Sequence, residues 1–195
     1  LRNKEPQLLM KSARIKVLNS IVDTLLIDSE KIGKNYLGGF SRYVSKAKSL
    51  TKAVSPSEIL ELRERIAGRI ISIQSSHFST CIPREGAESR AKCAEFGDMA
   101  PHNAKPEFCL NCSNAVITSE NLRGIWLTIQ PFVKEALDEN IPGVVIEHHM
   151  PLLRSGYKRI KQLENSANQN NVLKILKMIE KAISNIEQNV YKMEV

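Results

Sequence analysis

Residues 107–112 read Glu107-Phe108-Cys109-Leu110-Asn111-Cys112, and the other cysteines lie just upstream, Cys81 in Thr80-Cys81-Ile82-Pro83 and Cys93 in Ala91-Lys92-Cys93-Ala94. All 4 cysteines of the 195-residue chain therefore fall between positions 81 and 112. The Cys-x₂-Cys spacing lets both thiolates face one ion, and Cys81 and Cys93 complete a tetrahedral set with no open position. That pattern predicts a structural zinc ion rather than a catalytic one. Two disulfides or buried free thiols are the alternatives, and a reducing cytosol disfavours the first. His102 is an alternative ligand, taking the place of Cys81, the cysteine farthest in sequence from the pair.

The surroundings of the cysteines support an ordering role for the metal. From Ser76 to Thr118 the apolar periodicity stops, and Pro83, Gly86, Gly97, Pro101 and Pro106 break up the stretch. A loop of that length is unusual inside a compact domain unless something orders it, and metal binding contributes directly to folding. Two reactive chemistries fail on spacing. A zinc deaminase needs His-x-Glu ahead of Pro-Cys-x-x-Cys, whereas here His102 is followed by Asn103-Ala104 and Phe108 precedes the pair. A redox Cys-x-x-Cys belongs to a βαβ setting, and none is visible.

The rest of the chain reads as helices. Ile15, Leu18, Ile21, Val22, Leu25 and Leu26 form one apolar stripe over 6–28. Ser55-Pro56-Ser57-Glu58 combines a capping box with proline at the first helical position, predicting a helix to about Ser75 with Ile59, Leu62, Ile66 and Ile70 inward. Thr118-Ser119-Glu120 opens another, with Leu122, Ile125, Trp126, Ile129, Val133 and Leu137 on one face and a kink expected at Pro131. Pro142-Gly143 is a turn, Val144-Val145-Ile146 a short apolar run, and a helix follows Pro151 with Leu153, Ile160 and Leu163 inward. After a polar turn at 165–171, Val172, Leu176, Ile179, Ile183, Ile186 and Val190 make a heptad seam. Its cheapest partner is the preceding helix folded back as an antiparallel hairpin, and a homo-oligomer through the same seam is the competing arrangement. With no repeat and no strand series, the expected fold is mainly α: a basic helical segment (1–54), a helix with a metal-binding Cys-rich segment (55–118), and a C-terminal helical region (119–195).

Charge separates the first of these from the others. Residues 1–54 carry 11 Lys+Arg against 4 Asp+Glu, and the remainder is balanced, so the whole net charge of +7 sits in the first quarter. Around Gly38-Gly39, Tyr36, Phe40 and Tyr43 alternate with Lys31, Lys34, Arg42, Lys46, Lys48 and Lys52. Aromatics among cations suit nucleic acid, where rings stack on bases and cations pair with phosphate. The same pattern arises where aromatics anchor a basic surface to a core. No apolar run reaches the ~18 residues of a membrane span and no apolar signal core opens the chain, so a cytoplasmic protein is expected. The chain opens at Leu1 rather than Met, as a piece of a longer protein would.

The string Thr80-Cys81-Ile82-Pro83-Arg84-Glu85-Gly86-Ala87, then Arg90-Ala91-Lys92-Cys93, Gly97, Pro101, Ala104, Cys109-Leu110-Asn111-Cys112 and Ile117-Thr118-Ser119-Glu120-Asn121, resembles the cysteine-rich C-terminal region of bacterial tyrosine recombinases of the phage, transposon and genomic-island integrase type. Tyr36-Leu37-Gly38-Gly39-Phe40 is similar to the segment before those cysteines, and the resemblance covers roughly residues 30–185. It implies a tail downstream of a catalytic domain, metal-bound through Cys81, Cys93, Cys109 and Cys112 and associated with double-stranded DNA. The family's catalytic Arg, Lys, His-x-x-Arg and nucleophilic Tyr have no counterpart in matching context. His148, His149, Arg154 and Tyr157 have the wrong spacing: His149 and Arg154 are five apart where the motif needs three. No catalytic residue is carried over. A zinc-stapled protein-interaction module that ignores nucleic acid is the alternative.

Overall fold

The computed structural model describes residues 5–53, 55–138, 140–142, 146–164 and 169–191. The turn residue Gly143, the run Val144-Val145 and positions 165–168 of the expected polar turn lie outside them. The fold is mainly helical, with very short strands confined to the cysteine-rich stretch. None of the described helices is long and apolar enough to cross a membrane.

Helix α1 (Glu5–Ile27) turns Leu18, Val22, Leu25 and Leu26 inward at helical spacing. They pack against α2 (Gly39–Thr51) and α3 (Pro56–Ala67), forming a first apolar cluster around Phe40, Val44, Leu62 and Ile66. Two polar links fix this trio. Arg63 pairs with Asp23 at 3.2 Å, and Lys48 Nζ donates to Leu26 O at 2.6 Å, placing a cation on the carbonyl end of α1. At the start of α3 the expected capping box is formed: Glu58 N donates to Ser55 Oγ at 3.3 Å and Ser55 N to Glu58 Oε2 at 2.9 Å.

Helix α3 stops at Ala67, earlier than its apolar pattern predicts. Gly68 ends it, and Ile70 turns instead into an extended bridge with Arg84. The β-branched run that follows suits pleated chain better than helix. Three two-residue strands then form an antiparallel sheet in the order β1-β2-β5: β1 (Gln74–Ser75), β2 (Thr80–Cys81) and β5 (Ala115–Val116). Gln74 faces Cys81, and Cys81 faces Ala115. A hairpin of β3 (Ala94–Glu95) and β4 (Asp98–Met99) and a single-turn α4 (Pro106–Cys109) complete the stretch. The segment expected to be irregular is therefore ordered by short backbone pairings.

Helices α5 (Leu122–Leu137), α6 (Met150–Leu163) and α7 (Gln169–Tyr191) pack against one another and make the second apolar cluster, with Ile125, Ile129, Leu153, Ile160, Ile179 and Ile186 fully enclosed. The chain of α5 remains helical through Pro131. Arg154 pairs with Glu187 at 2.8 Å and Tyr157 donates to Glu180, so successive residues of α6 meet α7 in reverse order. This is the antiparallel hairpin expected from the seam. It has α5 as a third member, which closes the apolar face within one chain.

Gly124 opens α5 against the turn before β2, where an added Cβ would collide with the His77 carbonyl. Gly124→Ala should therefore lower unfolding stability by about 1–3 kcal/mol in urea titration, the usual cost of forcing extra volume into packed structure.

Candidate metal centre

Three separate pieces of chain deliver the four sulfurs. Cys81 is on β2, Cys93 immediately precedes β3, Cys109 ends α4, and Cys112 begins the turn into β5. All four line one cavity of about 200 Å³, together with apolar Phe78, Met99 and Phe108 and polar Ser76, Ser79 and Lys92. None forms a disulfide. Among the described residues, no group of three or more His, Cys, Asp or Glu stands in an arrangement that could hold an ion. The sulfurs share a cavity, then, rather than a finished coordination shell.

Their protonation follows from that setting. Burial pushes the Cys81 thiol up to about 12, with smaller contributions from Cys112, Cys109 and Cys93. Burial likewise raises Cys109 to about 11, helped by Cys112, Cys93 and Glu107. Thiols this weakly acidic are poor nucleophiles at neutral pH, the opposite of a catalytic or redox cysteine. The mutual effects also place the sulfurs within electrostatic reach of one another. A thiophilic dication would reverse the balance, because four sulfurs that repel as thiolates become its ligands. The donor set fits zinc or another thiophilic metal, and Asn114 N donates to Cys112 Sγ at 3.5 Å. His102 is not among the residues lining the cavity and instead sits beside Glu95 at 3.5 Å with most of its side chain in solvent. Of the two options for the fourth ligand, the cavity contains Cys81.

The Cys109–Cys112 turn is gripped from two sides. From α6, buried Arg159 donates through Nε to Leu110 O at 2.7 Å, and Ser155 Oγ accepts from Asn111 Nδ2 at 2.7 Å. From α2, Gly39 N donates to Cys112 O at 3.2 Å. A side chain at Gly39 would collide with the backbone of Ser113, and one at Gly38, whose φ is +101°, with that of Ala115. The glycine pair therefore allows helix and knuckle to touch backbone to backbone. Leu37 adds two hydrogen bonds to Ile117, at 2.8 and 3.0 Å. Sequence reasoning missed Arg159, although it recurs on the inward face of α6 with Leu152, Ser155 and Leu163.

The expected DNA-contacting cations are not equivalent. Lys31 is paired with Asp28 at 3.0 Å, which raises the lysine pKa and lowers that of the aspartate. Lys48 is spent on the end of α1. Lys34, Arg42, Lys46 and Lys52 do extend into solvent or along the surface. The neighbouring rings serve as anchors: Phe40 is fully buried, Tyr36 donates to Asp28 at 3.2 Å, and Tyr43 lies under the Arg84 guanidinium at 3.8 Å. Burial removes Phe40 from base stacking, and the guanidinium covers one face of Tyr43.

The His148–Tyr157 stretch is likewise structural. The His149 ring packs on Phe132 at 4.1 Å and on His148 at 3.7 Å, while Arg154 and Tyr157 are engaged by α7. Comparison with family models, with curated proteins and with solved structures gives no match to this chain.

Arg159→Leu should leave the Leu110 carbonyl buried without its donor, lowering stability by about 1–3 kcal/mol in chemical denaturation. A pH effect is expected in chelator-treated protein. The folded thiol pKa values lie above that of an unfolded cysteine, about 8.5. The resulting stabilisation is complete below that pH and is lost as pH rises toward about 11 for Cys109 and about 12 for Cys81. Unfolding midpoints of the metal-free chain should fall steadily over this alkaline range.

Proposed function

We propose that this chain is a non-catalytic, zinc-stabilised, DNA-associated region of a bacterial site-specific recombinase of the integrase type, acting in the cytoplasm. The observation that carries the reading is the convergence of Cys81, Cys93 and the Cys109–Cys112 turn on one cavity from three separate segments. Four thiolates would close a tetrahedral shell and leave no position for substrate or water, so the ion's work is structural. When bound, zinc supplies the positive charge that four thiolates in one cavity require. The protein's own groups do the rest: Arg159, Ser155 and Gly39 hold the knuckle in place, and Asn114 N orients the Cys112 sulfur.

Two further points support the recombinase assignment. The cysteine frame sits in the string from Thr80 to Asn121 that resembles the integrase tail. The positive charge is concentrated in residues 1–54, where Lys34, Arg42, Lys46 and Lys52 make no carboxylate pairs among the described residues. Cations of this kind bind phosphate with little regard to sequence. A catalytic domain elsewhere in the parent protein would supply the strand-transfer chemistry.

A second reading, a zinc-stapled protein-interaction module, is favoured by the β3–β4 tip. There Phe96 is 98% exposed and holds a φ of +50°, unusual for a bulky residue. A salt-insensitive oligomer with no affinity for DNA in light scattering would select it.

Elemental analysis should find about one zinc per chain, and its removal should cost about 4 kcal/mol or more where metal exceeds its dissociation constant a thousandfold. Cys109→Ser with Cys112→Ser should abolish the metal. Duplex binding through about four phosphate contacts should weaken roughly a hundredfold between 50 and 200 mM salt, and absence of any mobility shift at about 50 mM would remove the DNA part of the reading.

A further inference from the structure

Phe96 breaks two rules of its own neighbourhood. With Gly97 it forms the two-residue loop that joins β3 to β4, since Glu95 pairs with Asp98. Both loop residues hold positive φ, +50° and +92°. Asn-Gly is the usual pair for that backbone, and a bulky residue at its first position is strained. The ring is also 98% exposed, so it fills no groove of its own chain and belongs to neither apolar cluster. A residue that costs both backbone strain and exposed apolar area, with no contact to offset them, is placed for something outside the fold. Its mount is firm. Glu95 accepts from Asn103 Nδ2 at 3.0 Å, and Cys93 and Met99 at the base of the hairpin line the metal cavity.

A groove between the second half of α2 and the end of α3 has the complementary character. Its volume of about 300 Å³ has room for one aromatic ring, and it is lined by buried Leu62 and Ile66 and by Leu50, which is 73% exposed. Phe96 and Leu50 are the two most exposed large apolar residues among those described. Charge separates the two patches. Glu95 and Asp98 flank the ring, whereas exposed Arg65 and Arg69 line the groove and no carboxylate does. Among the described residues Asp98, Arg65 and Arg69 form no ion pair. Two carboxylates beside the ring repel a phosphate backbone, which disfavours DNA as its occupant. An apolar groove edged by cations suits the tip in both shape and charge.

We propose that the hairpin tip of one copy docks in the α2–α3 groove of a second copy, with Phe96 as the anchor against Leu50, Leu62 and Ile66 and its flanking carboxylates facing Arg65 and Arg69. Tip and groove are different patches of one surface, so the copies associate head to tail. The contact holds whether or not the chain binds DNA. One anchored ring and its flanking ion pairs make a small interface, so the dissociation constant is expected on the order of 100 µM.

The test is sedimentation velocity on the metal-bound chain from about 10 µM to about 1 mM, a range that brackets that affinity. The parent should self-associate across it. Phe96→Asn should loosen association about thirtyfold, as loss of an interface anchor does. Its melting temperature in dilute solution should equal or exceed that of the parent, because asparagine suits the backbone there; a ring serving only the fold would lower it on removal. Leu50→Asp with Arg65→Glu, both exposed, should keep the circular dichroism of the parent and also remain monomeric. Arg65→Glu with Arg69→Glu replaces that pair if its dichroism changes. A mixture of the tip variant and the groove variant contains one intact groove and one intact tip, so it should form a 1:1 dimer that grows no further. A parent that is monomeric at about 1 mM overturns the proposal. Unchanged association in either variant, or a mixture that stays monomeric, overturns it as well. Loss of duplex affinity in Phe96→Asn with self-association unchanged would make the ring a wedge between bases instead, and the docking would fall.

Discussion

The turn from Cys109 to Asn114 is where the two apolar clusters of this protein meet. Helix α2, rooted in the first cluster through Phe40 and Val44, lays its opening backbone on Cys112 and Ser113. Helix α6, rooted in the second through Leu153 and Ile160, holds Leu110 and Asn111 with Arg159 and Ser155. Leu110 itself is buried in the second cluster and Val116, just past the turn, in the first. A turn packed on both faces can shift only if a helix shifts with it. Metal bound at this point would therefore steady the junction of two cores as well as a loop, which is the most effective place for a single staple.

The same arrangement accounts for how the positive charge is used. Some cations are consumed in building the fold: Lys48 closes α1, Lys31 neutralises Asp28, and Arg159 satisfies a buried carbonyl. Burying a guanidinium is costly, and hydrogen bonds to carbonyls offset that cost without cancelling the charge. The positive charge of Arg159 thus persists at the knuckle. Zinc, if bound by four thiolates, would give its cavity a net charge of about −2.

Much of this was legible from local pattern. The capping box at Ser55 and Glu58, the stripe of α1 and the heptad seam of α7 each arise from interactions within a few residues, which spacing alone encodes. The gathering of the cysteines in sequence foretold their gathering in space. Other features depended on distant chain. Helix α3 ends early because its next residues gain more by pairing with 83–85 than by continuing the helix. The aromatics around Gly38 read equally well as stacking platforms or anchors, and only the position of the first cluster turns Phe40 inward.

The sequence by itself determined the helices, their apolar faces and the set of four thiols, because backbone hydrogen bonding and side-chain periodicity act over three or four residues. Tertiary structure alone decided that Gly38-Gly39 would meet the knuckle and that Arg159 would clamp it. Those pairs are separated by tens of residues and carry no common period. They are brought together only when two apolar clusters close over the same turn, and the close approach of backbones there leaves room for glycine on one side and a buried arginine on the other.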